Sequence, residues 1–143
     1  MSAERAFLDT NVLVYIFDHD EPEKAKLAKS LLGQAKPGEL VLSAQVLGEF
    51  YVTVTRKLRR PLDADSAGQA IDWLSLLKVV SIDAALVKEA GEISRSSPIS
   101  YWDGLIVASA ASGGCQRLLT EDLNDGHLIA GVRIENPFLQ HTG

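Results

Sequence analysis

Apolar and polar positions change their period repeatedly along the chain, and each change marks an element. Ala6-Phe7-Leu8 is a short apolar run of the kind that makes a buried strand, and the small polar residues Asp9, Thr10 and Asn11 break it. Helical character follows over residues 11–18. It resumes at Pro22, after which Ala25, Leu27, Ala28, Leu31 and Leu32 recur at helical spacing as far as Gln34. Past the Lys36-Pro37-Gly38 turn, Leu40-Val41-Leu42 reads as a second strand, ended by Ser43, a good N-cap. Val46, Leu47, Phe50, Val54 and Leu58 trace a helix over residues 44–59, stopped by Arg59-Arg60-Pro61. Another helix opens at Asp65 or Ser66 and carries Ala70, Ile71, Trp73, Leu74 and Leu77. Val79-Val80-Ser81-Ile82 is a β-branched third strand, and Asp83 caps a helix bearing Leu86, Val87, Ala90 and Ile93. Beyond Ser96-Ser97-Pro98, residues 99–112 form a long apolar helix closed by Gly113-Gly114. Arg117-Leu118-Leu119 is a fourth strand and Val132-Arg133-Ile134 a candidate fifth, with Pro137 near its end. Strands alternating with helices predict an α/β fold: a three-layer α/β/α sandwich on a central, mainly parallel sheet of four to five strands.

With 143 residues, no internal repeat and no linker, the chain reads as one domain over residues 1–143. Its 46% hydrophobic and 23% charged residues exclude a disordered or fibrous chain. No apolar run is long enough to span a membrane, and residues 1–5 carry no basic-then-apolar secretory pattern. The single cysteine, Cys115, has neither His nor Lys beside it, so it reads as a structural thiol of a reducing cytoplasm. The net charge of −5 argues against a protein held on nucleic acid by overall positive charge. It leaves room for an enzyme that gathers its acids around metal ions.

Four carboxylates lack a local partner. Asp9 stands at the carboxyl end of the first strand, where open α/β sheets bind ligands, although Asp9 or Asn11 could equally cap the helix that follows. Glu49 lies mid-helix, and Gln45, Val46, Val52 and Thr53 around it include no cation. Asp103 begins a helix that is apolar nearly all round and therefore buried, which makes an uncompensated carboxylate costly there. The helix dipole offers Asp103 partial relief. Asp122 lies in Thr120-Glu121-Asp122-Leu123-Asn124-Asp125-Gly126, a turn-rich segment that repeats the strand-then-acid pattern of Asp9. Four carboxylates brought together repel and raise one another's pKa, and hard divalent cations such as Mg²⁺ or Mn²⁺ relieve that. Such a site supports metal-assisted phosphodiester hydrolysis.

The segments Leu8-Asp9-Thr10-Asn11-Val12-Leu13, Val46-Leu47-Gly48-Glu49-Phe50, Trp102-Asp103-Gly104-Leu105-Ile106-Val107-Ala108-Ser109-Ala110 and Leu119-Thr120-Glu121-Asp122, in this order, make the chain resemble the PIN domain. In particular it resembles the VapC-type toxins of type II toxin–antitoxin systems, across essentially its whole length. The resemblance implies a PIN-like fold and a metal-dependent endoribonuclease acting on RNA, inhibited by a cognate antitoxin protein and assembled as a homodimer. It implies Asp9 and Asp103 as the principal metal ligands, with Glu49 and Asp122 completing the catalytic quartet directly or through water. Thr10, Asn11 and Thr120 are then supports that orient those carboxylates. One position departs from the pattern. Many relatives place an acid two residues after the Asp122 equivalent; Asn124 stands there, and Asp125 is left as a candidate one residue on.

Arg56, Lys57, Arg59 and Arg60 are candidates for RNA phosphate contacts, and equally for solvated cations at a helix C-terminus. Tyr51, Trp73 and Trp102 are expected in the core. His19, His127 and His141 fall in a loop, a turn and the tail, a poor basis for a metal-independent ribonuclease. Rival readings are a PIN nuclease of RNA maturation or decay, a phosphate-accepting receiver or phosphatase-like domain, and a catalytically dead binding domain. The phosphatase pattern wants an acid where Asn11 stands, and a receiver wants an adjacent acid pair and a late-strand Lys that do not fit here.

Overall fold

The computed structural model describes residues 4–139; the first three residues of the segment read for a secretory pattern, and His141, lie outside them. Six strands form one sheet in the order β3-β2-β1-β4-β6-β5. They are β1 (Ala6–Leu8), β2 (Leu40–Ser43), β3 (Lys78–Val80), β4 (Arg117–Leu119), β5 (Leu128–Ile129) and β6 (Val132–Glu135). Neighbours pair in parallel except β5 with β6, which is antiparallel. The expected four to five strands become six because β5 has two residues, too short to show a period, and joins β6 through Ala130-Gly131. Both turn residues have positive φ, 50° and 79°, the backbone of a tight hairpin usually signalled by Asn-Gly.

The helices are α1 (Thr10–Tyr15), α2 (Pro22–Gln34), α3 (Ala44–Val52), α4 (Ala64–Leu74), α5 (Ala84–Ser96) and α6 (Tyr101–Ser112). The crossovers from β1 to β2 and from β2 to β3 put α1 to α4 on one face, where α1 meets α2 and α3, and α3 meets α4. The return from β3 to β4 puts α5 and α6 on the other, with α6 lying against β2, β4 and β6. The three-layer sandwich follows. Side chains of Asp9, Ser43, Asp63, Asp83 and Ser100 cap α1, α3, α4, α5 and α6 by accepting backbone N–H bonds. The first cap is therefore Asp9, not Asn11, and α4 is capped by Asp63 rather than opened at Asp65 or Ser66. The expected helix over residues 44–59 divides into α3 and a π-helical segment, Thr53–Lys57, a distortion that often marks functional ground.

The core joins both layers through the sheet. Phe7, Leu8, Leu13, Leu42, Phe50 and Leu118 are fully buried, and Phe17 meets Phe50 edge-on at 5.5 Å. Helix α6 is buried continuously from Gly104 to Ala110, as its all-round apolar sequence requires. Gly104 lets it approach α5, since a Cβ there would stand 2.6 Å from the Ala90 carbonyl oxygen. Cys115 is buried, and burial pushes its thiol up to about 11, consistent with an inert structural thiol. Among the described residues no helix is long and apolar enough to cross a membrane.

Candidate active site

Strand order fixes where a site can form. From β1 the chain steps to β2 on one side, while β4 lies on the other, so the carboxyl ends of β1 and β4 flank the switch point of the sheet. Asp9 leaves β1 there, with its N–H donating to the Leu119 carbonyl at 3.1 Å, and Thr120-Glu121-Asp122 leaves β4 beside it. Asp9 is only 6% exposed. One carboxylate oxygen accepts from the Thr10 N–H at 2.7 Å, and the other from the Thr120 hydroxyl at 2.8 Å. Burial pushes the Asp9 carboxyl up from 3.8 to about 6; the bonds from Thr120 and Thr10 oppose the rise, and the charges of Asp122 and Glu49 add to it.

The same small residues tie in the other acids. The Thr10 hydroxyl donates to Glu49 Oε2 at 2.8 Å, so adjacent groups of one residue hold Asp9 and Glu49. Asn11 Nδ2 donates to Asp122 Oδ2 at 3.0 Å and to the Thr120 hydroxyl at 3.3 Å, and the Asp122 N–H donates to the same hydroxyl at 3.1 Å. Asp9, Glu49 and Asp122 are thus stitched together by Thr10, Asn11 and Thr120.

Asp103 stands apart from that stitching. It is half-buried rather than buried, because it occupies the first turn of α6, where Ser100 caps its N–H at 3.1 Å. Gln45 places this turn at the site: its amide donates to Glu49 Oε1 at 3.0 Å and to the Trp102 carbonyl at 3.4 Å. Among the described residues no three or more His, Cys, Asp or Glu side chains are gathered tightly enough to ring an ion as they stand. Each acid but Asp103 is held instead by a neighbouring hydroxyl or amide.

The donor set nonetheless fits a hard divalent cation. It is all oxygen, and no ion pair among the described residues involves any of the four acids. Asn11 Oδ1 and Gln45 Oε1 are buried without a hydrogen-bond partner, two unsatisfied acceptors beside the carboxylates. A cavity of about 660 Å³ opens alongside, lined by Thr10, Asn11, Tyr15, Glu49, Lys57 and Asp122 among others.

Several expected positions fall elsewhere. Asp125 accepts the Asn136 N–H at 2.7 Å and lines a separate cavity with Arg117 and Arg133. Of the basic cluster only Lys57 lines the site cavity; Arg60 pairs with Asp20 at 3.2 Å, and Arg56 and Arg59 are exposed off its lining. Trp102, Trp73 and Tyr51 are not core residues: they are 63%, 48% and 36% exposed. Tyr51 and Trp73 sit next to apolar stripes rather than in them, and Trp102 is on the water-facing side of the first turn of α6. Gln45 was missed as a site residue, although its position four residues before Glu49 is a recognised helical pairing distance.

Fold and crevice together define an α/β protein with an all-oxygen, carboxylate-lined site at the switch point of its sheet. The chain belongs to the PIN domain family, whose sequence model matches residues 6–125. A search of curated proteins returned no significant match. Among solved structures, a toxin–antitoxin complex from Klebsiella pneumoniae is similar with a TM-score of 0.70 at 20% identity, over 93% of this chain and 98% of that one. The Mycobacterium tuberculosis toxin VapC20, described as cleaving the sarcin-ricin loop, gives 0.63 at 23% identity over 82% and 89%. VapBC2 from Rickettsia felis, bound to a DNA fragment from its promoter, gives 0.62 at 20% identity over 92% and 97%. At such identities the likeness is one of fold.

Proposed function

We propose that this chain, a single nuclease domain over residues 1–143, is a Mg²⁺- or Mn²⁺-dependent endoribonuclease and the cytoplasmic toxin of a type II toxin–antitoxin pair. Its partners are an RNA substrate, a cognate antitoxin and a second copy of itself. Membership of the PIN domain family and the fold shared with VapC20 and with toxin–antitoxin complexes support this reading. The observation that carries it is Asp9: a carboxylate desolvated at the switch point, pressed by Glu49 and Asp122 and in no ion pair among the described residues.

Asp9 and Asp103 would hold the metal, with Glu49 and Asp122 completing the set directly or through water. When bound, a divalent cation lowers the pKa of its water and neutralises charge on the phosphate. The chain's own part is orientation. Thr10 fixes Asp9 relative to Glu49, Thr120 fixes the second oxygen of Asp9, and Asn11 aims Asp122. Lys57, on the cavity wall and in no ion pair among the described residues, would receive a phosphate of the RNA strand.

Purified protein incubated with cellular RNA tests the proposal. Discrete fragments are expected with Mn²⁺ and none in EDTA, and Asp9→Asn and Asp103→Asn should abolish cleavage while keeping the wild-type circular dichroism spectrum. Undiminished cleavage in EDTA, or full activity of both variants, refutes the metal-dependent mechanism built on these acids. Failure to co-purify with the product of an adjacent gene refutes the toxin role alone.

A further inference from the structure

Asp122 is exposed and sits in a loop of Asp, Asn and Gly, residues that alone would let the backbone sample many conformations. The residue before it is held far more firmly. Glu121 Oε1 accepts the Tyr15 hydroxyl, and Oε2 accepts Lys24 Nζ at 3.0 Å. Lys24 also donates to the Tyr15 hydroxyl oxygen at 3.1 Å, which closes a triangle. The Lys24 ammonium lies 4.7 Å from the Tyr15 ring centroid and 5.7 Å from that of Phe138, and Phe138 meets Tyr15 edge-on at 5.0 Å. The triangle joins α1 and the next helix, α2, to the segment leaving β4, 106 and 97 residues further along the chain.

A partly exposed ion pair contributes little to global stability, and the side chains of Lys24 and Glu121 are 34% and 24% exposed. Location is the more telling fact. Along Thr120-Glu121-Asp122, Thr120 binds Asp9, Glu121 binds Tyr15 and Lys24, and Asp122 binds Asn11. Fixing the middle residue fixes the direction of both neighbours. Tyr15 itself lines the site cavity, so the triangle is built into the wall of the site.

We propose that Tyr15, Lys24 and Glu121 are positioning residues that lock the segment leaving β4 so that Asp122 faces the cation site. This rests on the reading of Asp122 as part of a metal site. Groups that orient metal ligands typically change metal affinity or activity 10- to 100-fold when removed. Tyr15→Phe keeps the ring over Lys24 and removes only the hydroxyl, and Glu121→Gln removes the charge and turns one of the two acceptor oxygens into a donor facing Tyr15 or Lys24. Mn²⁺ titration by calorimetry on the RNA-free protein is the readout, with Glu135→Gln as control because the Glu135 side chain pairs with Arg117 and Arg133 and the substitution keeps its backbone bond to Thr120.

Both lock variants should bind Mn²⁺ about tenfold or more weakly, and cleave with lower kcat at unchanged KM for RNA. Glu135→Gln should bind as wild type does. Wild-type Mn²⁺ affinity in Tyr15→Phe and Glu121→Gln overturns the lock and leaves the metal site standing. Equal weakening in Glu135→Gln also overturns it, since the effect would then be one of general stability. A wild-type protein that binds no Mn²⁺ overturns the underlying reading, and the lock with it.

Discussion

Replacing Asp9 by Asn should make the metal-free protein more stable at neutral pH even as it removes cleavage. A carboxyl that ionises at 3.8 when unfolded and at about 6 when buried binds its proton more tightly in the folded chain. Its contribution is therefore fully present below pH 3.8 and is lost as pH rises through about 6. The gap corresponds to about 3 kcal/mol of ionisation working against folding at neutral pH. The amide that Asp9→Asn introduces does not titrate. It can still accept from Thr10, but its NH₂ group would face the Thr120 hydroxyl, whose oxygen already accepts from Asn11 and Asp122. That mismatch costs about 1 kcal/mol at every pH. The difference in stability, Asp9→Asn variant minus wild type, should accordingly climb by about 2.5 kcal/mol between about pH 4 and pH 7.5. In a chain of this size that is a change of about 10 °C in relative melting temperature. Thermal unfolding of both proteins in EDTA across that range measures it, and titrating groups that do not interact with Asp9, common to both, cancel in the difference. Mn²⁺ at neutral pH should raise the wild-type Tm and leave the variant's unchanged. A difference independent of pH would refute the burial argument.

Three further outcomes follow from single contacts. Gly104→Ala should destabilise by about 2 kcal/mol in urea unfolding, because the added methyl meets the Ala90 carbonyl at 2.6 Å where α5 and α6 cross. Ala130→Asn should stabilise by about 1 kcal/mol in the same assay, since Ala130 holds φ 50°, which Asn tolerates far better. Lys57→Gln should raise KM for RNA with kcat unchanged, and lower by about one the number of phosphate charges read from the salt dependence of binding.

Most of the fold was legible because its buried strands are apolar runs bracketed by polar breaks, and because Ser43 and Asp83 mark helix starts in their own chemistry. Strand β5 was not, since an Ala-Gly hairpin turn carries little signal beside Asn-Gly. Trp102 misled for a related reason. On a helix apolar all round, periodicity cannot say which residue of the first turn faces water, and Trp102 does. The candidate acids could be picked out one by one, because a strand end and a cation-free helix face are local features, and the structure joins three of them, Asp9, Glu49 and Asp122, by side-chain bonds. Such bonds were not legible: Asn11 reaches Asp122 and Tyr15 reaches Glu121 across more than a hundred residues, and nothing local announces such pairs.

The structure ties Asp9, Glu49 and Asp122 together, and among the described residues the turn of α6 that carries Asp103 is linked to them by the Gln45 bond to the Trp102 carbonyl, so Asp103 decides whether the four acids form one metal site. Calorimetric titration of Mn²⁺ into the wild-type protein and into Asp103→Asn puts the question directly. One saturable site in the wild type, weakened tenfold or more in the variant, is the expected result. Equal Mn²⁺ affinity in the two proteins would contradict the account.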